Sequence, residues 1–198
     1  MKKRTAFIGA ILSLIPLGQP LLIKTGIFLS TSGITILSSQ KVNADTARSY
    51  YKLGRKDFNN GDFYGAVSNF NKAIEIDSDF ANAYIARCGA KLNLQINQGA
   101  VEDCEKGIAI NTLDNSIYVD KQTAFTNLCG AKTNLGDNYG AISDCNKAIK
   151  LDSKDGLAYR NRGIAKEKIG DLKDACLDWR QASKFGDQDS QKWYENQC

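Results

Sequence analysis

The chain has 198 residues with 26 basic and 22 acidic side chains, and because five of the basic residues lie in the first 44, the remainder is nearly neutral. No basic run with interleaved aromatic residues follows, which excludes the usual nucleic-acid-binding surface. The chain has no histidine and no CxxC sequence, so His-dependent nucleophiles and a thioredoxin-like site are excluded, and we expect no enzyme activity, no metal site and no cofactor.

The N-terminal segment, residues 1–44, is distinct from the rest and has no acidic residue. A basic start is followed by two apolar stretches and by Val42-Asn43-Ala44, which is a small-residue cleavage site. This order predicts a secretory signal that is removed before Asp45. The segment is longer than the roughly 15–30 residues of an ordinary signal, so an uncleaved membrane anchor within residues 6–37 stays open as the alternative. Both interpretations predict an exported protein.

One sequence pattern then recurs nearly four times. The offset from Gly61 to Gln95 equals the offset from Gly136 to Gly170, and both match the period of about 34 residues that stacked antiparallel helix pairs have. Upstream of each copy lies a second helical pattern, so each repeat is predicted to read helix A, turn, helix B. The copies are GDFYGAVSNFNKAIEID from Gly61, QINQGAVEDCEKGIAIN from Gln95, GDNYGAISDCNKAIKLD from Gly136 and GDLKDACLDWRQASKFG from Gly170.

Particular residue types hold fixed places in these two helical patterns. In helix B, a small residue is followed four positions later by a larger one and then by a second small one, a pattern that lets paired helices approach closely. In helix A, an aromatic residue recurs on one face of a 3.6-residue helix. The members are Ala66, Phe70 and Ala73; Ala100, Cys104 and Gly107; Ala141, Cys145 and Ala148; Ala175, Trp179 and Ala182; and, in helix A, Tyr50, Tyr84, Phe125 and Tyr159.

These residues resemble the tetratricopeptide repeat family, with repeats at 47–80, 81–114, 122–155 and 156–189. The resemblance implies an all-α, right-handed superhelical array of antiparallel helix pairs, ending in a short capping helix at 190–198. Repeat 2 departs from the pattern, because Gln95 replaces the turn glycine and Gly107 replaces an alanine. A long leader joined to a few such repeats also resembles exported proteins of cyanobacterial type, which implies a periplasm or a thylakoid lumen.

Seven extra residues, 115–121, separate repeats 2 and 3. Seven residues make two helical turns, so helix A of repeat 3 is expected to start early, at Asn115 or Ser116, either of which can cap a helix. A surface loop stays open as the alternative, since inserted residues usually map to loops.

The six cysteines fit one rule of helix-hairpin geometry. Residues equidistant from the centre of a turn lie opposite each other on two antiparallel helices, and in an oxidising compartment cysteines are usually paired. The alternative is that they are unpaired small hydrophobic residues of the core. The rule predicts bridges Cys88–Cys104 and Cys129–Cys145, which have equal separations along the chain, and Cys176–Cys198, whose midpoint is Asp187.

The family resemblance also implies a concave groove lined by the A helices, in which a protein or peptide partner lies. Asparagine is frequent among the implied lining positions, and its side chain both donates and accepts hydrogen bonds. The implied residues are Arg48, Tyr51, Arg55, Asn59, Asn82, Ile85, Gly89, Asn93, Thr123, Asn127, Gly130, Asn134, Arg160, Asn161, Ile164 and Lys168.

The resulting prediction is a non-enzymatic adaptor or assembly factor that acts outside the cytoplasm and binds protein or peptide. We expect no nucleic-acid partner, and a membrane contact only through an uncleaved leader. The alternative is a disulfide-stabilised spacer or envelope component without a dedicated ligand. The Lys- and Arg-containing clamp of chaperone-binding family members is absent from the matching positions. Three recurring carboxylates, Asp103, Asp144 and Asp178, are expected on the solvated outer face of helix B.

Overall fold

A computed structural model describes residues 33–111 and 120–198, and within these ranges it contains helices and no strand. The predicted all-α array of helix pairs is confirmed: α1 pairs with α2, α3 with α4, α5 with α6 and α7 with α8, and α9 follows. The helices are α1 Gly33–Asn59, α2 Phe63–Ile76, α3 Ala81–Asn93, α4 Asn97–Asn111, α5 Lys121–Leu135, α6 Asn138–Leu151, α7 Gly156–Lys168, α8 Leu172–Lys184 and α9 Gln188–Gln197.

The chain divides into two units, residues 1–41 and residues 42–198. Most of the predicted leader lies outside the described residues, and the predicted cleavage site falls within α1. Among the helices that the structure describes, none is both long and apolar enough to cross a bilayer.

The turns between paired helices follow from their Gly-Asp sequences. Gly61, Gly136 and Gly170 have φ values of 80°, 85° and 86°, a conformation that glycine adopts without a steric penalty. The next residue is an aspartate whose carboxylate caps the following helix; Asp137, for example, accepts from the amide of Gly140 at 3.0 Å. In repeat 2, Gln95 takes the same turn with φ of 60°, so the residue that replaces the turn glycine is held in the strained left-handed region.

Alanine and glycine form the closest contacts of the core, as predicted. Ala66, Ala100, Ala141 and Ala175 are all fully buried. Packing explains why repeat 2 has Gly107 where the other repeats have alanine. A Cβ at this position would lie 2.7 Å from Cγ1 of Ile85 and 3.0 Å from the Ala81 carbonyl oxygen.

The six cysteines are paired as the hairpin geometry predicts. The Cα–Cα distances are 5.4 Å for Cys88–Cys104, 5.2 Å for Cys129–Cys145 and 5.8 Å for Cys176–Cys198. All six lie in the described residues and none is free. The pairing is therefore the one complete set that the shared mirror rule selected.

The first two bridges occupy places that repeats 1 and 4 fill with a glycine and an aromatic ring. A Cβ on Gly54 would lie 2.6 Å from Cε1 of Phe70, and one on Gly163 would lie 2.5 Å from Nε1 of Trp179. The aromatic ring fits only because the facing residue is a glycine, so a change at one of the two positions requires a change at the other. Repeats 2 and 3 join the same two helices with a disulfide instead.

The predicted early start of helix A in repeat 3 is wrong. Helix α5 begins at Lys121, and Asp120 is its N-cap, accepting from the Thr123 amide at 3.0 Å. A capping carboxylate one residue before Lys121 satisfies the first free amides of the helix there. The candidate caps Asn115 and Ser116 lie outside the described residues.

The expected solvated position of the three recurring carboxylates is also wrong. Asp103, Asp144 and Asp178 are only 3–4% exposed. Their charges are offset by basic residues that lie earlier in the chain, on helix A of the same repeat, so burial is compatible with ionisation. The ion pairs are Arg87–Asp103 at 2.6 Å, Lys91–Asp103 at 2.8 Å, Lys132–Asp144 at 2.7 Å, Arg162–Asp178 at 2.6 Å and Lys166–Asp178 at 2.9 Å.

Two of these networks also connect neighbouring repeats. Arg87 donates from Nη1 to Oδ1 of Asn71 at 2.6 Å, and Arg162 does the same to Asn146 at 2.6 Å. Each arginine therefore joins helix B of its own repeat to helix B of the preceding one. Asp103 and Asp178 are thus linked through these arginines to the preceding repeat.

Candidate functional site

A groove of about 1000 Å³ runs along the A helices of residues 42–198. Its lining comes mainly from α1, α3, α5 and α7, and α9 adds Asp189 and Trp193. The groove is lined by polar side chains such as Asn59 and Asn134 and by apolar ones such as Leu92 and Ile164.

Fourteen of the sixteen residues that the family resemblance implied do line this groove. Arg48 and Lys168 do not: Arg48 lies 3.9 Å from Asp45, and Lys168 donates to the Thr133 carbonyl oxygen at 2.9 Å. Ile85 is only 4% exposed, so it contributes to the floor of the groove and offers little surface to a ligand. The fourteen are Tyr51, Arg55, Asn59, Asn82, Ile85, Gly89, Asn93, Thr123, Asn127, Gly130, Asn134, Arg160, Asn161 and Ile164.

Sequence reasoning missed the contribution of α9. Trp193 follows Tyr159 at the same offset that separates Gly170 from Gly136, so it continues the aromatic series of the A helices, and this spacing could have identified it. Its ring lies 5.6 Å from that of Trp179, which fixes its position at the end of the groove. The sequence assigned Trp193 to the predicted cap at 190–198 and Asp189 to the end of repeat 4, and neither was predicted to line the groove.

Asparagine amides lie over glycines in the middle of the groove. A Cβ on Gly89 would lie 3.2 Å from Nδ2 of Asn127, and one on Gly130 would lie 3.2 Å from Nδ2 of Asn161. The two asparagines hold the same position in repeats 3 and 4. Each glycine thus leaves room for the amide of the next A helix and lets a ligand backbone approach closely.

These two central amides differ from the asparagines around them. Asn93 donates to the Gly89 carbonyl oxygen at 2.9 Å, and Asn134 donates to Asn97 at 3.0 Å. Asn127 and Asn161 have no hydrogen-bond partner within the part of the chain that the structure describes. Both are half-buried, so they present unused donors and acceptors to the groove.

Four charged side chains line the groove: Arg55 on α1, Asp120 before α5, Arg160 on α7 and Asp189 on α9. Asp120 is engaged as the N-cap of α5, where it accepts from the Thr123 amide at 3.0 Å. On α1, Arg55 donates to the Tyr51 hydroxyl at 3.2 Å and contacts no carboxylate of the described residues. Arg160 is paired with Asp187 at 3.2 Å. On α9, Asp189 is exposed and has no basic partner among the described side chains. One cation at the first helix and one anion at the last are therefore available to a ligand.

The described residues contain no cluster of three or more side chains that could hold a metal ion. The groove instead offers amides, aromatic rings and a glycine-lined floor, a set of groups suited to contacting a polypeptide.

A family model described as tetratricopeptide repeat matches residues 47–80, the range predicted for the first repeat. No match was found among curated proteins. Several solved structures are similar in fold. The chain is 22% identical to the MamA protein, with a TM-score of 0.59, over 80% of this chain and 80% of that one.

Two similar structures contain a bound peptide. The second TPR domain of human RPAP3, solved in complex with the HSP70 peptide SGPTIEEVD, is 23% identical with a TM-score of 0.53, over 64% of this chain and 98% of that one. The first TPR of Spaghetti (RPAP3), bound to the HSP90 peptide SRMEEVD, is 18% identical with a TM-score of 0.57, over 64% and 95%.

At these low identities, the similarity of the structures shows the fold alone. The helix pairs, their glycine turns and the matched segment lead to the same conclusion: the chain has the tetratricopeptide-repeat fold, and its residues 47–80 are a tetratricopeptide repeat.

Proposed function

We propose that the groove binds an extended segment of a partner protein, so that the chain acts as a non-enzymatic adaptor or assembly factor. The observation that carries the proposal is the pair of half-buried amides, Asn127 and Asn161, which lack partners among the described residues and lie beside glycines. A polar group in this position is stabilised when a ligand supplies the missing hydrogen bonds. Equivalent amides one repeat apart suit the regular backbone of an extended peptide.

The dimensions of the array indicate the length of that segment. Packed helices lie about 8–10 Å apart, so the four steps from α1 through α3, α5 and α7 to α9 span about 32–40 Å. An extended chain rises about 3.3 Å per residue, and a bound segment therefore has about 10–12 residues.

The charges indicate its chemistry. An acidic group near α1 would meet Arg55, and a basic group near α9 would meet Asp189. The lysine-containing clamp positions are occupied by other residues: Tyr51 with Arg55, Ala86, and Thr123 with Asn127. We therefore expect the partner to differ from the acidic peptides seen with the two RPAP3 domains, and to carry mixed charge with an apolar or aromatic residue near Trp193.

We further propose that this adaptor works outside the cytoplasm, in a periplasm or thylakoid lumen. The leader supplies the signal-like order of residues, and the geometry of all six cysteines is that of disulfides, which persist in oxidising compartments. N-terminal sequencing and peptide mapping without reductant, on protein taken from its own cell envelope, test this part. Finding Met1 at the N-terminus would favour the anchor, and free thiols would contradict export.

Selection from a phage-displayed library of random peptides of about twelve residues tests the binding proposal. The bait is the oxidised full chain, and the comparison baits are Asn127→Ala/Asn161→Ala and the control Asn60→Ala, an exposed asparagine beside the groove that does not line it. Loss of two amide contacts, each with one or two hydrogen bonds, predicts binding about 10–100-fold weaker.

The control variant should bind the selected peptides as the unaltered chain does. Equal binding by the double variant would show that the peptides bind elsewhere and would contradict the proposal. A library that yields no enriched peptide would favour the alternative, a disulfide-stabilised spacer without a dedicated ligand.

A further inference from the structure

The three disulfides differ in their access to solvent. Cys88, Cys104, Cys129 and Cys145 are all 0% exposed. Cys176 is half-buried, and Cys198, which caps the end of α9, is exposed. A thiol must reach a sulfur atom to attack a disulfide, so Cys176–Cys198 is the bridge that a soluble reductant meets first.

Helix α9 packs along α8, but it buries little side-chain surface of its own. It is ten residues long, shorter than the roughly 12–15 residues that an isolated helix needs to be even marginally stable in water. Its one buried residue is Ser190, a small polar side chain. Its side-chain contacts include the Trp193 ring against Trp179 and the Arg160 contact to Asp187, the N-cap of α9.

The bridge therefore adds a covalent constraint to a short helix that buries only one small side chain. It closes a loop with a sequence separation of 22 residues, and removing such a constraint returns the loop's freedom to the detached state. Once the bridge is open, α9 is held by its non-covalent packing on α8 and by the Arg160–Asp187 pair.

Detachment of α9 would alter the groove directly. Asp189 and Trp193 form its end wall, and Trp193 also lies against Trp179, which is 1% exposed. Releasing α9 would remove the free anion and the aromatic ring from the groove and uncover Trp179.

We propose that Cys176–Cys198 is a thiol-exchange site, and that its reduction by a dithiol releases α9 and opens the end of the groove. One thiolate of the dithiol attacks Sγ of Cys198, the S–S bond breaks, and the sulfur of Cys176 leaves and takes up a proton. The second thiol of the reductant then displaces Cys198, so that the dithiol becomes a cyclic disulfide while the two cysteines gain two electrons and two protons. The effect of this step on a ligand rests on the proposed function; release of α9 does not.

Stepwise reduction of the oxidised full chain with dithiothreitol tests the exchange site. Samples are alkylated with iodoacetamide at intervals, and the modified cysteines are identified by mass spectrometry. We expect Cys176 and Cys198 to be alkylated together, at least about tenfold faster than the four buried cysteines. Simultaneous modification of all six, or earlier modification of a buried pair, would overturn the proposal.

Tryptophan fluorescence in the same samples tests the release. The chain has two tryptophans, and they contact each other at this site, so the emission reports α9 directly. The expected result is a red shift that follows alkylation of Cys176 and Cys198, with a loss of helical signal no larger than ten residues contribute. The Cys198→Ser variant should show the shifted emission without reductant, and unchanged emission after reduction would overturn the proposal.

A third measurement separates this inference from the proposed function. A display-selected peptide is titrated into the oxidised chain and into the chain reduced only at Cys176–Cys198, and weaker binding to the reduced chain is expected. Equal affinity would overturn the role of α9 in the groove and leave peptide binding intact. Because alkylation and fluorescence require no ligand, a groove that binds nothing would still allow the release of α9 to be judged.

Discussion

Replacing Asp103 by alanine tests the buried ion network most severely. The Asp103 carboxylate accepts from Arg87 Nε at 2.7 Å and Nη2 at 2.6 Å, and it lies 2.8 Å from Lys91 Nζ. Removing one partner of a buried pair costs about 3–5 kcal/mol, because the opposite charge is left uncompensated. The Arg87 and Lys91 side chains are 16% and 20% exposed and can regain some water, so we expect the lower end, about 3 kcal/mol.

Urea unfolding of the oxidised chain, followed by circular dichroism, measures this loss. Buried pairs are screened only weakly by salt, so the loss should change little when sodium chloride is raised. Asp79→Ala is the matched control, since Asp79 is exposed and outside the network, and it should stay within about 0.5 kcal/mol of the unaltered chain. A loss below about 1 kcal/mol that disappears in salt would refute the reasoning, because that is how a surface pair behaves.

Three further outcomes are expected from the same urea assay. Gln95→Gly should stabilise the chain by about 1 kcal/mol, because it relieves a left-handed residue, and no gain would contradict strain at this turn. Gly107→Ala should destabilise it by about 1–2 kcal/mol despite the better helix propensity, because the new Cβ meets Ile85; a gain would show that the core can yield. For Lys132, burial alone would lower the pKa, yet the hydrogen bond and charge of Asp144 outweigh it and raise the pKa above 10.5. A raised folded-state pKa gives stability that is present below pH 10.5 and lost as the pH rises through the folded value, and Lys132→Met should remove that part of the alkaline loss.

The repeat architecture could be predicted from sequence because its determinants are local. The regular spacing of the copies, the glycine of each turn and the small residues of helix B all act within one helix pair. The disulfides followed from the same property, since a helix hairpin brings residues equidistant from its turn together. Cys88 and Cys104 could be paired without knowing how neighbouring repeats pack.

The buried carboxylates were misjudged because their partners lie on another helix. Asp178 alone looks like a polar residue on a helix surface, and its burial depends on Arg162 and Lys166 reaching it across the hairpin. The spacing that identified Cys88 and Cys104 as a pair is also the spacing of Arg162 and Asp178. The same rule applied to opposite charges would have placed the carboxylate inside.

The groove could be predicted where family geometry fixes which face of helix A is concave. At α9 the spacing from Tyr159 places Trp193 in the aromatic series of the A helices, but spacing alone does not show whether the ring packs inward or lines the groove. The sequence also could not show that Asn127 and Asn161 lack hydrogen-bond partners among the described residues. Asn93 and Asn134 have the same side chain, yet they donate hydrogen bonds to other groups of the protein.

The most direct measurement of the central claim is an amide NMR titration of the oxidised, nitrogen-15-labelled chain with a display-selected peptide. Side-chain amides report their own contacts, so the site of binding and its chemistry are read together. The account predicts that the side-chain amide resonances of Asn127 and Asn161 shift in proportion to bound peptide, while those of Asn71 and Asn146, on the B helices, stay in place. Shifts confined to Asn71 and Asn146, or bound peptide with unmoved Asn127 and Asn161 resonances, would contradict it.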